Sequence, residues 1–414
     1  MQTLRWLARP IAFLESCRRR FGDAFSVSFL GFQTPMVMLS DPEAIRALYT
    51  VPGHTLPPGR TVALQPIMGP RSLLLLEGSE HLARRKLMLP PFHGARMRAY
   101  EDTVREVVAR EVEGWPVGEP FALHPRMQAV TLEVILRAVF GVTDSGHRAR
   151  LGQSLGRLLA GTASPALQFG VLFSRRFGGP DPLAPLQALR QEIDAMLEEE
   201  IAARRADPRE DILSLLIDAR FADGEPMADA EIRDQLMTLL LAGHETTATG
   251  LAWTFDLLLR HPHVLERLVA VPDDAYLRAV VAEALRLRPV VPLAGRRLSE
   301  DLRVDGHVLP PGTDVTPAIW LAHTRPDRYP EPYAFRPERF LEDAPATYTW
   351  IPFGGGVRRC LGAAFAEMEM RVALSEILAR RTLRPASSSA ERVARRNVTF
   401  SPRGGTRVLA AAHR

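Results

Sequence analysis

Four short stretches of this sequence join reactive side chains to backbone conditions under which they could act. The first runs from Phe353 through Gly354, Gly355, Gly356, Val357, Arg358 and Arg359 to Cys360 and Gly362. A cysteine that follows a glycine-rich loop and precedes a helical segment, here Ala363 to Leu378, stands near a helix N-terminus. Backbone N–H groups and the helix dipole there favour a thiolate. Arg358 and Arg359 add positive charge, and the glycines let something large and flat approach the backbone. A thiolate held this way is a ligand for haem iron. The competing reading is an inert cysteine beside a tight turn.

The second stretch is Ala242-Gly243-His244-Glu245-Thr246-Thr247, in the middle of a long apolar helical pattern. Glycine costs roughly 1 kcal/mol in a helix interior, and polar residues there cost more unless they find partners. Two violations at one place point to a working site. The alternative is a kinked helix whose threonines bond back to the preceding turn. The third stretch is Glu283-Ala284-Leu285-Arg286, with Phe335-Arg336-Pro337-Glu338-Arg339-Phe340 downstream. Residues three apart share a helix face and can pair. The spacing alone carries nothing, because Glu15/Arg18, Glu43/Arg46 and Glu300/Arg303 share it. The fourth is His81 and Arg85, four apart on one helix face, where the planar fork of arginine suits a carboxylate. A solvated basic face is the plainer explanation.

The elements that must position these groups are mostly helices. Residues 23–39 alternate, carry aromatics and predict a hairpin. Apolar spacing of three and four predicts helices over Tyr100 to Trp115, Met127 to Phe140 and Leu186 to Arg205. The longest pattern starts near Asp229, a candidate N-cap, and is stopped by Pro262. At 1.5 Å per residue it spans about 50 Å and must cross the centre of the domain. A further helix runs from about Asp273 to Leu287, ended by Pro289. Strand-like pieces follow at 301–315 and 391–410. The fold class is mainly α with a minor β part.

The set of motifs, in this order, resembles the cytochrome P450 family of haem-thiolate monooxygenases, and the resemblance covers nearly the whole chain. It implies one large triangular domain over 1–414, with a long central helix over the haem. It implies haem b as cofactor, with Cys360 as the axial thiolate and Phe353 packed beside the sulfur. Gly356 would permit the loop turn, and Gly362 belongs to the same cofactor-binding loop. Arg358, His81, Arg85 and Arg296 would hold the haem propionates, with Arg297 the rival of Arg296. Ala242 and Gly243 would line the oxygen groove, with Gly243 opening room over the iron. Glu245 and Thr246 would be the acid–alcohol pair that delivers protons, and His244 would point away. Glu283, Arg286 and Arg339 would form a buried structural triad.

Composition agrees with such an enzyme. Of 414 residues, 46% are hydrophobic and 24% charged, which excludes collagenous, disordered and disulfide-scaffold chains. The net charge is only +4, with no long basic tract, so no nucleic-acid footprint is expected. Two cysteines make no framework and suggest a reducing compartment. The N-terminal apolar stretches fall short of the ~20 residues that cross a bilayer, and they make no signal peptide. A cytoplasmic monomer is expected. No dinucleotide fingerprint or cysteine cluster is present, and too little chain follows Cys360 for a fused reductase. Electrons are therefore expected from a separate ferredoxin or flavodoxin with its reductase, docking near Arg84, Lys86 and Arg359. The segments Leu64 to Leu76, Thr162 to Phe177, Leu240 to Thr246 and Val290 to Ala294 are apolar. They favour a lipophilic substrate of fatty-acid, terpenoid, steroid or polyketide type, with O2 as cosubstrate. The competing activities are a peroxide-driven peroxygenase and a haem-binding sensor without turnover.

Overall fold

A helix that is apolar almost all round has to be buried almost all round. The segment Asp229–Arg260 meets that condition, as one helix of 32 residues and about 48 Å. Leu236, Leu240, Leu251, Phe255 and Leu258 on it are fully inaccessible. Asp229 lies in its first turn rather than at the N-cap, a position held by Ala228 without a side-chain bond. Asp229 and Glu231 still place negative charge where the dipole wants it. The helix ends at Arg260, and Pro262 opens the next helix, Pro262–Ala270. The computed structural model describes residues 2–30, 34–51, 65–94, 96–142, 144–162, 164, 167, 170, 181–271, 273–343, 345–396 and 398–412.

Among the helices that pack on the central one are Leu123–Val134, Ala184–Ala206, Asp274–Leu287 and Ala363–Arg380. Asp273 caps Asp274–Leu287 by accepting the Ala275 N–H at 2.9 Å. Leu123–Val134 widens into a π-helical turn, Ile135–Val139. The expected hairpin is present: Ala24–Val27 runs antiparallel to Met36–Leu39, with Ala24 opposite Leu39. Its tip, 31–33, lies outside the described residues. Met36–Leu39 also pairs in parallel with Asp314–Pro317, which carries Arg296–Arg297 on its far edge. The predicted strand segments resolve into two small hairpins, Leu302–Val304 with His307–Leu309 and Val393–Arg396 with Thr399–Pro402. A three-stranded sheet joins Pro120–Ala122, Arg407–Ala412 and Arg381–Pro385.

One large apolar cluster surrounds the central helix. A second joins helix Pro42–Thr50 to the sheet, through Leu39, Ile45, Leu48 and Val315. A third, built on Trp6, Phe13, Met38 and Phe400, anchors the N-terminal helices. Leu64 and most of the segment from Thr162 to Phe177, named above as substrate-pocket candidates, lie outside the described residues. Among the described residues no helix is long and apolar enough to cross a membrane.

Candidate active site

The cysteine loop closes on itself. Gly354 N–H donates to Ile351 O at 3.0 Å, Arg359 N–H to Gly356 O at 3.1 Å and Cys360 N–H to Phe353 O at 2.9 Å. Gly354 and Gly356 adopt φ of 67° and 62°, in the left-handed region where a side chain is strained. Their neighbour Gly355 is needed for another reason. A Cβ there would lie 2.5 Å from Cδ2 of Tyr49. The sequence assigned all these glycines to a flat ligand; at 355 and 356 it is instead Tyr49, on Pro42–Thr50, that fills the space. Of the four glycines of this loop, Gly362 has open space around its Cβ position. Phe353 is partly buried against the main core and meets Trp350 edge-on at 6.2 Å.

Cys360 is accessible, yet burial is the largest influence on its thiol and pushes its pKa up. A group both accessible and enclosed lines an internal hollow. The Gly362 backbone bond, Arg85 and Arg359 pull the other way without prevailing, and Glu367 adds to the rise. A further positive charge against the sulfur would offset that burial and favour the thiolate. The central helix opens in a matching way. Ala242 is exposed between the buried Leu240 and His244.

Beside Cys360 stands a basic cluster with almost no acid. His81 is buried, and its pKa is pushed down to about 4, first by burial and then by Arg358, Arg85 and Arg296. Burial, Arg296 and Arg85 push Arg358 down to about 10, with only Glu77 opposing. Arg85 and Arg296 are lowered mainly by burial. Arg358 donates to Leu76 O at 2.5 Å and Arg296 to Gly295 O at 2.8 Å. Arg297, the rival of Arg296, is taken by Asp314 at 2.9 and 3.1 Å. Three guanidinium groups and a neutral, buried histidine around an accessible cysteine, with open space over Gly362, fit a flat cofactor carrying two carboxylates.

The middle of the central helix departs in part from expectation. Thr246 Oγ1 donates back to Ala242 O at 2.6 Å, the threonine back-bond that was the plainer alternative. A Cβ on Gly243 would meet Ile135 Cδ1 at 3.3 Å, so this glycine serves helix packing and the open position is its neighbour Ala242. Glu245 turns toward helix Leu123–Val134. Its Oε2 accepts from Gln128 Nε2 at 2.6 Å. Its Oε1 is buried without a well-directed bond, with Arg396 Nε at 3.4 Å and His124 Nε2 at 3.8 Å. Burial raises its pKa against Arg396, Gln128 and Thr249. His124 meets Thr249 Oγ1 at 3.0 Å, and His244 meets Thr131 Oγ1 at 2.9 Å. Burial, aided by Arg396, holds both rings down at about 4.

Glu283, Arg286 and Arg339 come together as a set. Arg286 grips Glu283 through two bonds, of 2.6 and 2.8 Å, and both residues are fully buried. Arg339 Nε and Arg336 N–H reach Glu283 Oε1 at 3.1 and 3.0 Å. Arg286 also donates to His323 O and Pro332 O, both at 2.8 Å. Sequence reasoning missed His323. Its Nδ1 is 3.1 Å from Arg286 O, and its Nε2 accepts from Ile351 N–H at 2.8 Å. A neutral ring, with its pKa held down to about 3 by burial and Arg286, thus ties the triad to the base of the cysteine loop. The only trace in sequence is a histidine inside an apolar run, Ile319-Trp320-Leu321-Ala322-His323. Tyr49, His124, Gln128 and Arg396 were missed as well; none sits in a motif.

Comparisons with known proteins agree with this geometry. Residues 2–405 match the family model described as Cytochrome P450. Cytochrome P450 135B1 of Mycobacterium tuberculosis is 41% identical over 435 residues, spanning 100% of this chain and 90% of that protein. Cytochrome P450 137 of the same organism is 40% identical over 399 residues, spanning 94% and 83%. Among solved structures, the retinoic acid-bound cyanobacterial CYP120A1 superposes with a TM-score of 0.86 at 26% identity, covering 100% of this chain and 96% of that one.

Proposed function

The chain belongs to the cytochrome P450 family, a haem-thiolate monooxygenase with haem b held by a cysteine thiolate, and on that premise we propose that Cys360 is that cysteine. His81, Arg85, Arg296 and Arg358 hold the two propionates, and Phe353 and Gly362 complete the cradle. One observation carries the assignment: an accessible cysteine in a hollow, beside Arg85, Arg296 and Arg358, whose like charges crowd around Arg358, and the neutral ring of His81. Two carboxylates placed among them relieve that repulsion.

Haem b, when bound, would supply dioxygen activation, which a cysteine thiolate ligand promotes. The protein's part is to hold substrate and manage protons. Thr246 holds a hydroxyl in the hollow beside Ala242. Glu245, with its raised pKa, keeps a proton closer to working pH than an ordinary carboxyl does. To serve Thr246 it must swing away from Gln128. Glu283, Arg286 and Arg339 hold the cysteine loop and touch nothing that reacts.

The substrate is a lipophile of fatty-acid, terpenoid, steroid or polyketide type. The exposed Ala242 and the apolar run Val290 to Ala294 suit such a substrate. The neighbour solved with retinoic acid favours the terpenoid branch. Electrons come from a ferredoxin or flavodoxin with its reductase. Of the three cations expected at its docking face, Arg84 is committed to Glu231 at 2.8 Å and lies over Phe221. Lys86 and Arg359, both exposed, remain for an acidic partner. We place the enzyme in the cytoplasm as a monomer, consistent with its two free cysteines.

The test is spectroscopic. The ferrous–CO complex should show the red-shifted Soret band of thiolate ligation, and Cys360→His should lose it while Cys17→Ser keeps it. An unshifted band in folded, haem-loaded protein refutes the assignment. Turnover with a surrogate ferredoxin system, set against peroxide alone, identifies the electron route.

A further inference from the structure

We propose that the two N-terminal helices form a docking surface for an anionic lipid bilayer, a contact that lies apart from the haem site and goes beyond the reaction.

Helix Gln2–Ala8 is pinned from beneath. Trp6 is buried and packs on Phe13, Phe29 and Phe400 with ring centroids 6.2, 5.7 and 5.4 Å away. Gln2 Oε1 accepts from Ser28 N–H at 2.6 Å and Thr3 Oγ1 from Leu30 N–H at 2.8 Å. With those residues turned inward, Leu4 and Leu7, three apart on the helix, are left 71% and 46% exposed. Leu30, tethered to Thr3, is 72% exposed, and Phe21, at the end of helix Pro10–Phe21, is 56% exposed. Leu4 and Leu7 on one helix, with Leu30 tethered beside it, hold large apolar side chains into water, and such a patch marks an interaction site.

The charge around them has one sign. Residues 2–21 carry Arg5, Arg9, Arg18, Arg19 and Arg20 against Glu15 alone, an excess equal to the net charge of the whole chain, +4. Arg18 is paired with Asp23 at 2.9 Å. Arg20 lies over the Phe21 ring at 5.1 Å. Between the two helices runs a surface groove of about 370 Å³, lined by Leu4, Arg5, Ala8, Arg9, Ala12 and Phe13. Its floor is apolar, two guanidinium groups stand along it, and no acid lines it. That is the order of chemistry met on entering a bilayer: phosphate for the arginines, then hydrocarbon for the leucines. An acidic protein would satisfy the arginines but would leave the groove and the leucines without a reason. No described helix is long enough to span, so the contact is interfacial.

The experiment is sedimentation of the haem-loaded enzyme with vesicles. Wild type should co-sediment with phosphatidylglycerol–phosphatidylcholine vesicles at low salt. It should bind pure phosphatidylcholine far less and be released by added salt. The double variant Arg5→Gln, Arg9→Gln should weaken vesicle affinity about thirtyfold, taking two basic residues near an anionic surface. Leu4→Ser with Leu7→Ser should weaken it while leaving its salt dependence in place. All four side chains are exposed, and an unchanged Soret band confirms an intact fold. The control is Arg384→Gln with Arg403→Gln, the same charge loss on exposed residues elsewhere. No binding to anionic vesicles, or equal losses in the two arginine pairs, overturns the proposal.

Discussion

Around Glu283, both carboxylate oxygens are bonded, four donors converge on them, and neither Glu283 nor Arg286 has any exposed surface. Around Glu245, one oxygen is bonded to Gln128 and the other is buried with two cationisable groups at 3.4 and 3.8 Å but no well-directed bond. Both regions bury a glutamate between helices. The first bonds both of its oxygens and holds one arrangement. The second leaves capacity unused, and its acid has a raised pKa. A saturated polar cluster is a scaffold; an unsaturated one keeps a proton and a rotamer free to move.

The largest effect should follow from breaking the saturated cluster. Glu283→Ala strands two buried or nearly buried guanidinium groups and should cost about 3–5 kcal/mol, so haem-loaded protein should be lost on purification. A normal yield of holoprotein would mean that the cluster's bonds do not matter. His323→Leu should come next, since it leaves Ile351 N–H and Arg286 O without partners, about 1–3 kcal/mol for each group. That cost should be largest near neutral pH and shrink as pH falls below about 6.5, because the variant no longer buries a ring that acid would charge.

Replacing His124 should share that acid behaviour but differ at neutral pH. Burial pushes His124 and His244 down to about 4 in the folded protein and His323 to about 3. Unfolded, each would titrate near 6.5. The unfolded chain therefore binds more protons between these values, and stability falls as pH drops from about 6.5 toward 4. His124→Gln should flatten that acid limb while changing the neutral-pH Tm little. Glu369, buried and raised to about 8, works in the opposite sense, with stability declining as pH rises through that value. Tm measured across pH should be highest between the two limbs; a flat profile from 6.5 to 4 would contradict the buried neutral histidines.

A subtler effect tests the unsaturated cluster. Thr246→Ala should retain haem and substrate binding, yet yield less product and more hydrogen peroxide per NAD(P)H consumed. Thr247→Ala, whose side chain is buried on another face, should stay coupled. Equal coupling in both variants would remove the proton role of Thr246. The smallest effect belongs to Glu43→Ala. Glu43 and Arg46 have the spacing of Glu283 and Arg286 and a bond of 2.8 Å, but both are more than half exposed. Stability should change by no more than about 0.5 kcal/mol.

That last pair shows what was legible in the sequence. Glu283-x-x-Arg286 was separated from its look-alikes by its place before Pro289 and by the downstream Arg339, and the triad has the expected members. The long helix was readable because nothing in Ile232 to Leu259 gives it a polar face. What could not be read is whatever depends on contacts across hundreds of residues. Tyr49 packs under Gly355, Arg396 reaches Glu245, and Arg84 is spent on Glu231; no local pattern marks these partners. The direction of Glu245 was also hidden, because a helix position fixes where a side chain starts and its neighbours decide where it ends.

Tyr49 beneath the cysteine loop makes two distant positions a single evolutionary character. Any side chain at 355 would have to enter the volume of its ring, so a relative with a larger residue at 355 should carry a smaller one at 49. Substitution at either site alone should be rejected, while the paired change passes. A loop usually credited to its own glycines would then drift only in step with a tyrosine some three hundred positions upstream.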